Sequence, residues 1–317
     1  MLGLIAPIVD TRTAALLPCR PARVEHIVSE VVRVRALAVG EVLWDVFPDA
    51  SRLGGAPLNF AVHLNRLGHA PRIVSAVGRD ALGEAAAADI ESLGLDTTFL
   101  QSSDKFRTGT ASVLLGTGDR TSFVIDRPAA YDAVEVSRTV LAHVTQWNPS
   151  WCYYGTLYSS RAHGRAVLRQ LLEALPHARR FYDVNLRPGF MSRTLVSDLL
   201  RVADVVKLNE DELTFVREWL GLPGDIEGFC RTGAARLGWQ AVCVTLGARG
   251  CAMLVGDKYV EAPGVAVSVA DTVGAGDAFA AAFVHGLVAG WSAPKVAEFS
   301  NHIGAMVASV PGAIPHP

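Results

Sequence analysis

The chain has 317 residues, half of them apolar and 19% charged, and its 29 basic and 31 acidic side chains give a formal net charge of −2. This composition excludes a disordered chain, and a chain of this length can bury a core without disulfides or structural metal. The near-neutral charge provides no basic field for a phosphate backbone, so we expect no nucleic-acid partner. The five cysteines are scattered without a CxxC pair, which indicates a reduced, cytoplasmic setting.

The N-terminal segment, residues 1–35, does not continue the pattern of the rest of the chain. It begins with apolar residues, has no basic region before them, and then carries five arginines. This order is not that of a signal peptide, so we predict an N-terminal extension, poorly ordered. No stretch approaches 18 uninterrupted apolar residues, and we therefore predict no membrane-spanning helix.

From residue 36 onward, short apolar runs alternate with helical patterns. Strands are predicted over 35–39, 72–77, 110–115, 121–125, 151–154, 180–184, 205–208, 241–245, 251–255 and 267–270. Helices are predicted over 59–67, 83–93, 161–175, 210–220 and 225–237, followed by a final pair from Asp277. The alternation favours a doubly wound, mostly parallel sheet flanked by helices. Length alone suggests about two domains. Because no linker divides the chain, we predict one large α/β domain with a β insertion, its hairpin turning at 116–120.

The most informative stretch is the glycine turn Gly274-Ala275-Gly276, which lies between a strand-like run and a helix. Backbone N–H groups at a helix N-terminus form a natural phosphate site. Asp277 directly follows this turn, where a carboxylate would repel a bound phosphate. Asp277 is explained if it accepts the proton of a hydroxyl that attacks the phosphate, or equally if it only complements the helix dipole.

Two other phosphate-binding motifs are absent. The chain has no GxxxxGK[ST] sequence, and the dinucleotide fingerprint would need a small residue where Phe279 stands. A dehydrogenase, which would use the dinucleotide fingerprint, is therefore only a weak alternative.

Two segments resemble signatures of the ribokinase-like (PfkB) carbohydrate kinases. Asp271-Thr-Val-Gly-Ala-Gly-Asp277 is similar to the second signature, and Gly54-Gly-Ala-Pro-Leu-Asn59 is similar to the first. The resemblance runs from about residue 36 to residue 315. It implies an α/β kinase fold with a small β-sheet lid, and an ATP-dependent sugar kinase. The alternative of a different class is a non-catalytic sugar- or nucleotide-binding relative.

The resemblance also implies roles at the phosphate end. Gly274, Ala275 and Gly276 would form the anion hole, and Asp277 would be the general base. Asn209 would face the phosphates, and Glu212 would help to hold Mg²⁺ through water. Considered without the resemblance, the acidic residues 210–212 are also explained as a favourable first helical turn.

The remaining nucleotide roles rest on the resemblance alone. Thr245, Gly247 and Gly250 would line the ATP site, with Asn301 near the adenine. Asp271 and Val273 correspond to positions that shape a monovalent-cation site, which leaves the use of K⁺ open.

At the sugar end, Asp45 follows the first strand, where open α/β sheets bind ligands. Asp45, Gly54, Gly55 and Asn59 would bind sugar hydroxyls, although Asn59 could equally be a helix N-cap. Arg127 could contact the sugar or pair with Asp126 or Asp132.

The β lid would be formed by residues of about 43–53 and 108–127, and would exclude water from the reaction. In this family such lids commonly also mediate dimerisation, so a homodimer through the lid is expected. The sequences around Gly40–Asp45, 54–61 and 127–132 are most similar to bacterial fructokinase-type members. Fructose is therefore the expected substrate, ahead of ribose and 2-keto-3-deoxygluconate.

Overall fold

A computed structural model describes residues 32–48, 50–115 and 121–315 of the chain. Its strands are β1 (Arg35–Val39), β2 (Leu43–Val46), β3 (Ser51–Gly54), β4 (Ala70–Gly78), β5 (Leu100–Ser103), β6 (Gly109–Leu115), β7 (Thr121–Ile125), β8 (Trp151–Gly155), β9 (Arg179–Asp183), β10 (Val205–Asn209), β11 (Ala241–Thr245), β12 (Cys251–Val255) and β13 (Lys258–Ala262). Its helices are α1 (Ala56–Arg66), α2 (Ala81–Ser92), α3 (Arg138–Trp147), α4 (Thr156–Ser159), α5 (Ala162–Ala174), α6 (Arg193–Arg201), α7 (Glu210–Leu220), α8 (Ile226–Leu237), α9 (Ala275–Val288) and α10 (Ala293–Ala308).

Nine of these strands form the central sheet, in the order β13-β12-β11-β10-β9-β8-β1-β4-β5. All neighbours from β5 to β11 are parallel, and β12 and β13 extend the edge as antiparallel strands. The chain runs outward from β1 through β4 to β5, and then returns to β8 on the other side of β1. The strand order therefore reverses beside β1, and such a reversal opens a crevice at the carboxyl ends of the strands.

The core lies on both faces of this sheet, as the alternation along β1 shows. Leu37 and Val39 pack with α3 and α5–α8, whereas Ala36 and Ala38 pack with α1, α2, α9 and α10. Successive strand residues point to opposite faces, so an uninterrupted apolar run indicates a strand with helices on both sides. The predicted doubly wound, mostly parallel fold is confirmed.

A separate sheet of four strands has the order β3-β2-β6-β7. Strands β2 and β3 form one antiparallel pair and β6 and β7 another, and a parallel pairing of β2 with β6 joins the two. Its strands come from segments 43–54 and 109–125, which are distant in sequence.

The structure departs from the predicted elements in several places. The predicted strand over 267–270 is wrong: residues 265–270 are exposed and belong to none of the described strands. The antiparallel strand β13, which the sequence pattern did not reveal, takes the sheet edge instead. Strand β5 and helices α3 and α6 were also not predicted.

Part of the prediction lies outside the described residues: the N-terminal extension up to residue 31, and the hairpin turn 116–120. The assignment of residues 1–35 to an extension therefore stays a prediction. No helix in the described part of the chain is both long and apolar enough to cross a membrane.

Candidate active site

A cavity of about 1060 Å³ lies at the carboxyl ends of the central strands and is bordered by the small sheet. Of the predicted site residues, it is lined by Asp45, Gly55, Asn59, Asn209, Glu212, Thr245, Val273, Gly274, Gly276 and Asp277. Asp45 and Asp277, the outermost of these residues, are 232 positions apart in the chain, and the fold brings them together.

Asp277 lies in the first turn of α9 and is partly buried. Asn59 donates a hydrogen bond from Nδ2 to its Oδ2 over 2.8 Å. Burial raises the pKa of Asp277 to about 7, and the negative charge of Asp183 adds to the increase. Asn59, Lys207 and Arg187 act in the opposite direction. A carboxyl group with this pKa is suited to exchanging a proton near neutral pH.

The turn before Asp277 requires glycine at position 274. Gly274 has a φ of 79° at the N-cap of α9, and a Cβ there would overlap Ala313. Ala313 is held in place by His63, whose Nε2 lies 2.9 Å from its carbonyl oxygen. The segment 312–313 therefore forms a support under the glycine turn, which we call the C-terminal brace.

Asp271 connects this turn to its surroundings. Its Oδ1 accepts the N–H of Val273 at 3.0 Å, and its Oδ2 accepts the N–H of Gly312 at 3.0 Å. Arg52, on β3, donates to the same Oδ2 over 3.2 Å. The small sheet and the C-terminal brace thus meet at one carboxylate.

At the sugar end, Asp45 is 8% exposed, and burial raises its pKa to about 6. A Cβ on Gly54 would lie 2.6 Å from Asp45 Oδ2, so the glycine leaves space for the carboxylate. Helix α1 begins at Ala56, three residues before the predicted start, which places Asn59 inside the first turn. The N-cap alternative for Asn59 is therefore wrong, since Gly55 is the N-cap.

Asn209 and Glu212 form a capping box at the start of α7. Asn209 Oδ1 accepts the N–H of Glu212 at 2.8 Å, and Glu212 Oε2 accepts the N–H of Asn209 at 2.9 Å. The other Glu212 oxygen accepts the N–H of Leu186 at 2.7 Å. Glu212 thus fixes the helix start against the segment after β9, which gives it a structural role at the cavity wall.

A buried ion pair, not predicted from the sequence, borders the phosphate end. Lys207 Nζ lies 2.9 and 3.0 Å from the two carboxylate oxygens of Asp183, and Tyr153 donates to Asp183 Oδ2 over 3.1 Å. A Cβ on Gly276 would be 3.5 Å from Lys207 Nζ, so the ammonium group lies next to the glycine turn. The phosphate end therefore has a lysine as well as backbone amides.

Arg187 and Glu41 also line the cavity and were not predicted. The positive charge of Arg187 lowers the pKa of Glu41, Asp45 and Asp277. One signal was available in the sequence. Ligands bind at the carboxyl ends of strands in open α/β sheets, and four charged residues lie at or just beyond such ends of predicted strands: Glu41, Asp183, Arg187 and Lys207.

Several predicted residues lie away from the cavity. Arg127 is buried against Asp132, and it also donates to Leu157 O and Ser160 Oγ. Of the alternatives for Arg127, the structure thus contains the ion pair with Asp132.

The residues predicted to contact the outer part of the nucleotide lie beyond Thr245. Gly247 and Gly250 flank the turn between β11 and β12, and Gly250 packs against the backbone of 262–264. Asn301, on α10, donates to the carbonyl oxygens of Ala262 and Pro263. Gly54, Ala275 and Asp271 adjoin lining residues without being part of the lining themselves.

The site meets the requirements of phosphoryl transfer to a hydroxyl group. A helix N-terminus for an anion, a lysine next to it and a carboxyl group whose pKa is raised to about 7 adjoin one cavity in a doubly wound sheet. These features define a kinase that acts on a small molecule.

The comparison with known proteins makes this class specific. Residues 33–317 match the pfkB family carbohydrate kinase model, so the chain belongs to this family and is a carbohydrate kinase. A fructokinase of Escherichia coli is 27% identical over 296 residues, covering 87% of this chain and 94% of that protein.

Solved structures agree on the fold. The fructokinase of Xylella fastidiosa with bound ATP has a TM-score of 0.77 at 23% identity, and the match covers 89% of this chain and 94% of the other. The 2-dehydro-3-deoxygluconokinase of Thermotoga maritima has a TM-score of 0.79 at 18% identity, with 90% and 95% covered. At these identities the likeness concerns the fold only.

Proposed function

We propose that this carbohydrate kinase is an ATP-dependent fructokinase in which Asp277 is the general base. The sugar hydroxyl transfers its proton to the Asp277 carboxylate, and its oxygen attacks the γ-phosphorus as the bond to ADP breaks. The observation that carries the proposal is the position of Asp277, next to the glycine turn, with a pKa raised to about 7. An ordinary aspartate would be a weaker base at neutral pH.

The phosphate end supports a triphosphate donor. The glycine turn presents the N-terminus of α9, a helix of 14 residues, and Lys207 lies beside it. Positive potential fixed where charge develops on the transferred group lowers the barrier, because the donors need no reorganisation during the reaction. ATP bound to the structurally similar Xylella fructokinase agrees with this assignment.

The donor set bears on the proposed Mg²⁺. No group of three His, Cys, Asp or Glu side chains in the described ranges is placed to hold a metal ion. Both Glu212 oxygens accept backbone N–H groups, but a carboxylate retains further lone pairs for water. Glu212 would help to hold a hydrated Mg²⁺ through water, and the ion would offset the negative charge of the ATP phosphates.

On the nucleotide side, Asn209 and Thr245 stand opposite each other at the ends of β10 and β11 and would contact the phosphates. We assign Gly247, Gly250 and Asn301 to the path toward the adenine. Asp271 and Val273 would shape a monovalent-cation site, and the rate in KCl compared with that in a sodium-free choline salt tests this assignment.

The sugar end favours a neutral polyol. Glu41, Asp45 and Asp277 border the cavity, and three carboxyl groups disfavour an anionic sugar. Fructose is preferred because the E. coli fructokinase is similar over most of both chains. Arg187 favours 2-keto-3-deoxygluconate as the second candidate, since its guanidinium could bind the carboxylate of that sugar.

The small sheet would act as a lid. Leu43, Ala111 and Ile125, which belong to three of its strands, line the cavity and would cover the reacting groups. Exclusion of water suppresses hydrolysis of ATP. Pairing of two such lids would give a homodimer, which sedimentation equilibrium measures.

The test of the function is the Asp277→Asn variant in an assay of ADP formation. We expect kcat to fall at least 100-fold, since general-base catalysis contributes about 10² to 10⁴. The KM values for ATP and for sugar should change much less. In the parent, kcat should rise with pH through about 7 as the base ionises, and this limb should be absent from the residual activity.

The matched control is Asp257→Asn, which alters an exposed aspartate outside the cavity. Assays with fructose, ribose, 2-keto-3-deoxygluconate, fructose 6-phosphate and adenosine define the acceptor. Equal turnover of Asp277→Asn and the parent would refute the base assignment. Absence of turnover with every acceptor would favour a non-catalytic relative.

A further inference from the structure

Glu41 is a buried carboxyl group for which the mechanism above has no use. It follows Gly40 at the end of β1, is 5% exposed and lines the active-site cavity. Its Oε2 has no hydrogen-bond partner among the described residues. A buried acceptor without a donor is unfavourable, and in a cavity it indicates that a ligand provides the donor.

The neighbouring protein groups do not fill this role. Hydrogen bonds from the backbone N–H groups of Glu41 and Ala56 lower the pKa of the carboxyl group, but Oε2 itself has no partner among the described residues. Arg187 and Arg127 both influence Glu41 by their charge, but neither donates a hydrogen bond to Oε2.

A second unpartnered acceptor borders the same cavity. Asn59 donates from Nδ2 to Asp277, whereas its Oδ1 is buried and has no partner in the described part of the chain. A Cβ on Gly55 would lie 2.5 Å from Glu41 O, so this glycine allows the start of α1 to approach Glu41 closely. Two acceptors around one cavity fit a ligand with at least two donors, and sugar hydroxyls provide them.

We propose that Glu41 is a specificity-determining residue, whose Oε2 accepts a hydrogen bond from a hydroxyl of the sugar other than the one that is phosphorylated. The inference rests on the proposed kinase function and assigns part of its acceptor site. Glu41 thereby selects against deoxy sugars, because an analogue without that hydroxyl leaves the carboxylate unpaired. Asn59 Oδ1 accepts from a second hydroxyl and connects the sugar to the base.

The test is a cycle of enzyme and substrate changes. Glu41→Gln and the parent are assayed with the best sugar of the acceptor panel and with its monodeoxy analogues. We expect Glu41→Gln to raise the KM for the full sugar about 10- to 100-fold, as for loss of a hydrogen bond to a charged group. The KM for ATP should be unchanged. For one monodeoxy analogue, parent and variant should have the same KM, since the interaction is absent from both.

Glu84→Gln, an exposed glutamate on α2, is the control and should match the parent. If Glu41→Gln does not fold, Glu41→Asp keeps the charge but withdraws it by one methylene, and should show the same pattern. An active parent with an equal KM penalty for Glu41→Gln on every analogue would overturn the role of Glu41 alone. A parent inactive with all sugars would instead refute the kinase function on which it rests.

Discussion

The two ends of the active-site cavity differ in whether their buried polar groups have protein partners. At the phosphate end, the paired cluster (Asp183, Lys207, Asn209 and Glu212) satisfies its charges with protein partners. At the sugar end, the open cluster (Glu41, Asp45 and Asn59) retains buried oxygens on Glu41 and Asn59 that have no hydrogen-bond partner among the described residues. We infer from this difference that the phosphate end is a rigid frame and propose that a bound sugar completes the other end.

Lys207→Met should cause the largest loss of stability among these variants, because it leaves Asp183 buried without its cation. Loss of one member of a buried ion pair costs about 3–5 kcal/mol. Urea unfolding at pH 8 should show this decrease in the free energy of unfolding. Lys258→Met, which alters an exposed lysine beside Asp257, should change it by less than about 1 kcal/mol. Similar values for the two variants would mean that the paired cluster is not a frame.

Gly274→Ala tests whether the frame includes the glycine turn. The added methyl group would overlap Ala313, and the φ of 79° is unfavourable for alanine. We expect a loss of about 1–3 kcal/mol of stability and a lower kcat. Gly290→Ala is the matched control, with a φ of 64° and no described atom within 4 Å of the added Cβ. If both variants lose the same stability, the overlap with Ala313 does not contribute to the loss.

Asp277→Asn should change how the stability of the protein depends on pH. The folded-state pKa of Asp277 is raised from 3.8 to about 7, so the folded protein binds its proton more tightly than the unfolded chain does. This contribution is present at low pH and is lost as the pH rises to about 7.

Asparagine does not ionise, so Asp277→Asn does not lose this stability as the pH rises. Its Tm should therefore exceed that of the parent by a few degrees at pH 8, and the gap should close toward pH 4. Differential scanning calorimetry between pH 4 and 8 measures the gap. A gap of constant size would contradict the raised pKa and place Asp277 with the paired cluster.

Arg52→Gln should have the smallest effect. The Arg52–Asp271 pair joins the small sheet to the glycine turn, but the arginine side chain is 41% exposed. Asp271 would keep its bonds from Val273 and Gly312. We expect at most about 1 kcal/mol of lost stability in urea unfolding, and less in high salt. A larger loss would show that the small sheet is part of the rigid frame.

The fold was largely predictable because apolar runs such as 35–39 and 241–245 mark doubly covered strands. The edge strand β13 was not, because its half-exposed residues bury too little to leave a pattern. Residues 265–270 show the opposite error, since alternating valines resemble a strand although all six residues are exposed.

For the site, the motif residues Asp277, Asn59 and Asp45 were predicted and do line one cavity. The pairing of Lys207 with Asp183 depends on the parallel register of β9 and β10, which local sequence patterns do not reveal. Local patterns likewise give no sign that Glu41 Oε2 is buried without a hydrogen-bond partner in the described part of the chain.

The C-terminal brace has a practical consequence for anyone who expresses or modifies the protein. Gly312 and Ala313 touch Asp271, His63 and the glycine turn, although they lie next to the last described residues. Deletion of residues from 312 onward would remove the surface on which the turn rests. We therefore expect C-terminal truncations to reduce turnover before they unfold the protein.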